Sequence, residues 1–306
     1  MKIYHSLEEY REDFGAAQHG RCAVTLGKFD GLHLGHRKLV EHVTRTARER
    51  GLVPAVFVIE VSGCGILTKD ERAALLEEMG VDILIECPFS VQFMRMTPQE
   101  FISGILAQCL HAAYVSVGTD YRFGHERAGD VRLLQEYGPQ FGFETDIVEK
   151  ERYLGEEISS SRVREAIGAG DLDLAMHMMG RWYSISGPVL HGRHLGTGIG
   201  MPTVNLAPQE GKILPPDGVY AGRTLLEDGR LVDGVTNIGF RPTVNGTHRT
   251  VETSLLDFEG DLYGQMISTS LLKRLRGETR FDSLEALKAQ VDRDIIAARQ
   301  ILDGIT

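Results

Sequence analysis

Four segments of this chain carry side chains that could act together on phosphate groups. The first is Gly27-Lys28-Phe29-Asp30-Gly31-Leu32-His33-Leu34-Gly35-His36. Gly31 and Gly35 let backbone approach a ligand closely. His33 and His36 can donate hydrogen bonds to a triphosphate and to charge developing on it in a transition state. A glycine turn with two surface histidines is the plainer reading of this fragment. A zinc site does not fit, since no third ligand stands at a recognisable spacing. The second segment is Ile158-Ser159-Ser160-Ser161-Arg162-Val163-Arg164. Serines are good helix N-caps, but cations are unfavourable at a helix N-terminus unless an anion is bound there. Caps followed at once by Arg162 and Arg164 therefore point to phosphate.

The third segment runs from His191 to Asn205. Gly196, Thr197, Gly198 and Gly200 make a glycine-rich loop, which alone is no more than an irregular hairpin, and Pro202-Thr203-Val204-Asn205 follows it. Alternate positions of a strand share a face, so the Thr203 hydroxyl and the Asn205 amide oxygen project together. Both are hard donors, suited to a magnesium ion that also takes phosphate oxygens. Taken in isolation, a polar edge-strand face explains Thr-x-Asn better. The fourth is Glu252, within Thr250-Val251-Glu252-Thr253-Ser254-Leu255. A carboxylate there is either simply exposed or placed to deprotonate a substrate hydroxyl, as the aspartate of a kinase does.

The elements needed to position these groups can be read from periodicity. Strand-like runs at 23–26, 53–59, 82–86, 113–117 and 143–148 alternate with helical patterns at 36–50, 70–79 and 97–110. Thr97-Pro98-Gln99-Glu100 is a capping box with proline at the first helical position. Such alternation predicts a parallel sheet covered on both faces, with the 27–36 loop where an open sheet binds its ligand. Near Gly180 the pattern changes to short β runs at 182–189, 203–206, 219–226, 231–238, 250–258 and 265–272, which predicts a barrel or sandwich. A last helix is capped by Asp282 or Ser283, with Leu284, Leu287, Val291 and Ile295 along one face.

At 306 residues the chain can hold two ordinary domains. A net charge of −10 argues against nonspecific binding to nucleic acid or to an anionic membrane. No apolar run approaches the roughly 20 residues of a membrane span, and the N-terminus lacks the apolar core of a signal peptide. Cys22, Cys64, Cys87 and Cys109 are scattered without a CxxC pair, as expected of a protein kept in a reducing cytoplasm.

The first two segments resemble the HxGH and SSxxxR-type signatures of the nucleotidyltransferase superfamily. More closely, residues from about 20 to 180 resemble the adenylyltransferase half of bacterial bifunctional riboflavin kinase/FAD synthetases. Val117-Gly118-Thr119-Asp120-Tyr121-Arg122-Phe123-Gly124 matches a further motif of that family. The resemblance implies transfer of AMP from ATP to FMN. Gly27, Phe29, Asp30, Gly31, His33, Gly35 and His36, with Ser159, Ser160, Ser161, Arg162 and Arg164, would surround the ATP phosphates. Asp120, Arg122, Phe123 and Gly124 would stand on the FMN side. Two departures are Lys28, where an asparagine is usual, and the stretch 59–65, which lacks a Pro-His-Pro element.

From 183 to about 300 the chain resembles riboflavin kinases, whose PTAN motif corresponds to Pro202 through Asn205. The segments Gly218-Val219-Tyr220-Ala221 and Gly234 to Gly239 follow in family order. This implies a six-stranded barrel with a C-terminal helix. Gly196, Thr197, Gly198, Gly200 and Pro202 would form the nucleotide loop, Thr203 and Asn205 would hold Mg²⁺-ATP, and Glu252 would be the base on riboflavin. Thr197 stands where an arginine is usual. The expected whole is a Rossmann-like domain over 1–182 and a β-barrel kinase over 183–306. It would act on riboflavin, FMN and ATP and yield FAD, with small molecules as its partners. Two alternatives stay open: a kinase that has lost FMN adenylylation, and a flavin-binding module that makes no flavin. Thr203, Asn205 and Glu252 speak against the module, because a passive binder needs neither magnesium ligands nor a base.

Overall fold

The computed structural model describes residues 1–17, 20–60, 63–190, 203–243 and 246–305. These fall into two compact units, Met1–Gly63 with Lys69–Ser159, and Cys64–Thr68 with Ser160–Thr306.

The first unit begins with β1 (Lys2–Tyr4), α1 (Leu7–Ala17), β2 (Cys22–Gly27), α2 (Leu34–Arg50), β3 (Val53–Glu60), α3 (Lys69–Glu78) and β4 (Ile83–Pro88). Next come α4 (Val91–Arg95) and α5 (Pro98–Glu100), which runs into a π-helical stretch, Phe101–Cys109. It continues with β5 (Ala112–Gly118), β6 (Arg122–Phe123), β7 (Gly129–Asp130), α6 (Val131–Tyr137), β8 (Glu144–Val148), β9 (Arg152–Tyr153) and β10 (Glu156–Glu157). The apolar runs of β2, β3, β4 and β5 are buried along their middles, as in a sheet covered on both faces. One face packs Leu26, Phe57, Ile85 and Val117 against the π-helical stretch. The other sets Ala23 and Tyr114 against Val43 and Ala47 of α2.

Thr97 and Glu100 form the expected capping box, each side chain satisfying the other's backbone N–H at 3.2 and 2.8 Å. The helix beyond it differs from an ordinary α-helix. Phe101, Ile102, Ile105, Leu106 and Cys109 are its buried residues, spaced by four rather than by the 3.6 of an α-turn, and a wider turn keeps them on one face.

The sheet order is β1-β4-β3-β2-β5-β8, every pair parallel. The chain builds outward from β2 through β3 and β4, then returns to the other side of β2 with β5. The direction of winding therefore reverses between β2 and β5, and crevices for ligands in open parallel sheets form at the carboxyl ends of such strands.

The second unit holds α7 (Ser160–Ala169), α8 (Leu172–Met179), β11 (Tyr183–Leu190), β12 (Thr203–Leu206), β13 (Gly218–Leu225), β14 (Leu231–Thr243), β15 (Gly246–Leu255), β16 (Met266–Arg276) and α9 (Leu284–Leu302). The strands close into an antiparallel barrel in the order β11-β12-β15-β14-β13-β16, the six-stranded barrel expected. Buried hydroxyls pair off within it, Thr224 with Thr269 and Thr236 with Thr253, each at 3.0 Å. The Cys64–Thr68 stretch joins this unit through Gly65, whose N–H donates to Gly211 O at 2.8 Å and whose carbonyl accepts from Ile213 N at 3.1 Å.

Ser283 caps α9, its hydroxyl accepting from Ala286 N. The helix packs Ala298 and Leu302 against Val219, Ala221, Val235 and Leu272 of the barrel. Leu284, expected on the same stripe, is exposed, because the seam is centred on the later turns. Asp294, buried within that seam, takes the Arg276 guanidinium at 2.8 Å and the Gln290 amide at 2.9 Å.

Candidate active sites

In the first unit, the loop from β2 to α2 leaves the sheet where the winding reverses. Phe29, Gly31 and Leu32 all have positive φ, at 49°, 83° and 37°. Only Gly31 adopts this without strain. Phe29 and Leu32 are held there by full burial of their side chains, and backbone strain of this kind clusters at functional sites. His33 is the N-cap of α2: its Nδ1 accepts from His36 N at 3.3 Å, which puts the proton of the neutral ring on Nε2.

The His33 and His36 rings stack at 3.7 Å and 16°, and Phe29 lies 5.1 Å from His36. A Cβ at Gly35 would come within 3.3 Å of the His33 ring, and one at Gly27 within 3.2 Å of Phe29. Both glycines therefore admit the aromatic packing. Burial, reinforced by the neighbouring His33, holds the His36 pKa well below the usual histidine value. Burial thus keeps His36 largely neutral, and the two imidazoles sit at the start of α2, where the helix dipole favours an anion.

The loop after β5, the strand beside β2, carries the other family motif. Asp120 is paired with Lys150 at 2.8 Å and Arg122 with Asp130 at 3.2 Å. Phe123 is buried, 5.2 Å from Phe101 and 5.8 Å from Tyr121. Phe93 and Phe57 extend the aromatic file at 6.0 and 6.3 Å. Gly124 has φ 74° and lies against Pro98, where a Cβ would meet the ring at 2.8 Å. A network that sequence reasoning missed tethers α3 to the ends of β3 and β4. Arg72 bridges Glu60 at 3.1 Å and also pairs with the buried Glu86. Burial opposes ionisation of Glu60, but Lys69 and Arg72 outweigh it and lower the pKa.

Ser159 is the last residue of the first unit, and Ser160, Ser161, Arg162 and Arg164 open α7 in the second. Val163, Ala166 and Ile167 bury the inner face of α7, while Arg162 and Arg164 are half-buried.

In the barrel, Asn205 of β12 lies directly opposite Glu252 of β15, and Thr203 opposite Ser254. On the far side of Glu252 stands Asn237 of β14. Directly opposed residues share a face, so Asn205, Glu252 and Asn237 form one polar row across three strands, while Val204, Val251 and Ile238 are buried. The Thr250 hydroxyl donates to Glu252 Oε1 at 3.4 Å. Asn237 was not singled out from the sequence, because only strand register brings it to Glu252. Gly196, Thr197, Gly198, Gly200 and Pro202 lie outside the described residues.

Five buried side-chain atoms lack a hydrogen-bond partner among the described residues: Thr25 Oγ1, His36 Nδ1, Arg72 Nε, Tyr121 Oη and Asn205 Oδ1. Each such atom costs about 1–3 kcal/mol. An enclosed amide oxygen with nothing donating to it suits a hard cation, so the state of Asn205 fits a magnesium ligand.

Residues 15–162 match the family model described as FAD synthetase, and residues 179–302 the one described as riboflavin kinase. The bifunctional riboflavin kinase/FMN adenylyltransferase of Escherichia coli strain K12 is 39% identical, over 100% of this chain and 99% of its own. The protein of the same name from Haemophilus influenzae is 35% identical, over 92% and 95%. Among solved structures, the macrolide-efflux protein from Streptococcus pneumoniae is 30% identical with a TM-score of 0.81, covering 91% of this chain and 94% of that one. Among the described residues of the present chain, no helix is long and apolar enough to cross a membrane.

Proposed function

The chain belongs to the family of bifunctional riboflavin kinase/FMN adenylyltransferases, and on that footing we propose that it phosphorylates riboflavin to FMN and adenylylates FMN to FAD, with ATP serving both steps. The observation that carries the chemistry is the register of Asn205 against Glu252, with the Asn205 amide oxygen enclosed and without a hydrogen-bond partner among the described residues.

In the kinase, Glu252 takes the proton of the ribityl hydroxyl as its oxygen bonds to the γ-phosphorus of ATP. The bond from that phosphorus to the bridging oxygen breaks, and ADP leaves. Thr203 and Asn205 would hold Mg²⁺, which when bound neutralises charge on the phosphate oxygens. The Thr250 hydroxyl keeps the Glu252 carboxylate oriented.

In the adenylyltransferase, an oxygen of the FMN phosphate attacks the α-phosphorus of ATP and pyrophosphate leaves. No protein nucleophile takes part, so rate depends on positioning and on stabilising charge. His33, the neutral His36 and the first turn of α2 supply donors, and Ser159, Ser160, Ser161, Arg162 and Arg164 supply hydroxyls and positive charge. Gly27, Phe29, Asp30, Gly31 and Gly35 shape the loop, and Asp120, Arg122, Phe123 and Gly124 bound the FMN side. We assign residues 1–182 to this domain and 183–306 to the kinase. Four unpaired cysteines support a cytoplasmic location, and a charge of −10 supports small-molecule partners rather than nucleic acid.

Incubation with riboflavin, ATP and Mg²⁺, followed by chromatography of the flavins, should yield FAD with FMN as the intermediate. Unchanged riboflavin would refute the kinase, and FMN without FAD the adenylyltransferase.

A further inference from the structure

Native proteins keep few buried polar atoms without partners, and each one asks for an explanation. Two of the five among the described residues, His36 Nδ1 and Asn205 Oδ1, belong to residues whose types already point to phosphate and cation. Thr25 lies in mid-strand within β2. Arg72 meets both Glu60 and Glu86 through Nη2, and its unpartnered Nε sits within that ion-pair network. Tyr121 stands apart. It lies in the loop leaving β5 at the reversal of winding, the strand next to the one whose loop carries His33 and His36.

Its charged neighbours are occupied, Asp120 by Lys150 and Arg122 by Asp130. Alternation along the extended chain turns Tyr121 and Phe123 to the side away from Arg122, and their rings stack at 5.8 Å and 17°. The apolar body of Tyr121 is thus packed, while its hydroxyl alone is enclosed with no partner among the described residues. Burial pushes the phenol pKa up, so the group stays a neutral donor across the physiological range. An aromatic file ending in a single unsatisfied donor suits a planar heteroaromatic ligand with acceptors along its edge.

We infer that the Tyr121 hydroxyl is a specificity-determining donor in the first unit, where it hydrogen-bonds an acceptor on the polar edge of the flavin ring system when FMN binds. This rests on reading that unit as an FMN adenylyltransferase. A hydroxyl buried to meet one acceptor discriminates against ligands lacking it, because the mismatch leaves it unpaired.

The test is Tyr121→Phe in the full chain. The KM for FMN in adenylylation should rise about tenfold, equivalent to about 1.4 kcal/mol, with kcat, the KM for ATP and riboflavin phosphorylation unchanged. A titration with FMN alone should show one class of site weakened by a similar factor. The ligand-free thermal midpoint should stay equal or rise, since the variant removes an unsatisfied group and opens no cavity. An unchanged FMN affinity, or a lowered midpoint with FMN affinity intact, overturns the inference and leaves the adenylyltransferase reading standing. If the wild type makes no FAD, that reading fails, and the FMN titration alone then decides for or against the hydroxyl.

Discussion

At the scale of single residues, the two sites call for different chemistry from their central groups. In the proposed kinase step Glu252 accepts a proton, so Glu252→Gln keeps its shape while removing that capacity. Riboflavin phosphorylation should fall by about 10²–10⁴, with FAD formation from supplied FMN near wild type. Normal FMN production by this variant would rule Glu252 out as the base. In the proposed adenylyltransferase step His36 donates while uncharged. Its folded pKa is depressed by burial and by His33, so between that value and an unfolded value of about 6.5 the unfolded chain binds more protons. Stability from this site is therefore fully present above about pH 6.5 and is lost as pH falls toward the folded pKa. His36→Ala should flatten the acid limb of the thermal midpoint against pH. It should also slow FAD formation by about 10²–10³, the usual loss for one transition-state donor. Identical acid limbs, or an unchanged adenylylation rate, would remove His36 from its assigned role.

At the scale of elements, α9 is held by a buried ion pair as well as by apolar contact. Asp294 lies in the seam with Arg276 and Gln290 on it. Removing one partner of a buried pair strands the other charge, which typically costs about 3–5 kcal/mol. Asp294→Ala should therefore lower the urea midpoint of the second unit far more than Leu284→Ala does, because Leu284 is exposed. Equal effects of the two substitutions would show that α9 is held otherwise. The capping box at Thr97 was legible from sequence, since it depends on residues three apart, and the cap of α9 was narrowed to Asp282 or Ser283, of which the structure selects Ser283. The exposure of Leu284 was not, because which turns of a helix meet a partner depends on where the partner ends.

At the scale of the whole molecule, the change of pattern near Gly180 proposes a kinase that is complete from 183 onward. All six barrel strands, α9, Thr203, Asn205 and Glu252 lie within that segment. A fragment of residues 183–306 should fold cooperatively and make FMN but never FAD. In the full chain α8 packs on β11 and β16, and Leu172, Ala175, Met178 and Met179 are buried. A fragment of residues 160–306 should accordingly melt at a higher temperature with the same kinase activity. A 183–306 fragment that stays unfolded, or is inactive until residues 1–182 are restored, would show the boundary to be functionally wrong.

What the sequence determined alone is whatever acts over a few residues. Alternation marked the strands, with Thr203–Leu206 recovered to the residue, and periodicity marked α2. The glycines of 27–36 marked the loop between β2 and α2. Tertiary structure alone decided which strands became neighbours. It set Asn205 and Asn237 on either side of Glu252 and put the loop after β5 next to the one after β2. It also decided burial, which depresses the His36 pKa and, among the described residues, leaves Asn205 Oδ1 without a donor and the Tyr121 hydroxyl without a partner. The reason is physical: capping and alternation are satisfied within one or two turns of chain, whereas register and desolvation are set only when distant segments close on one another.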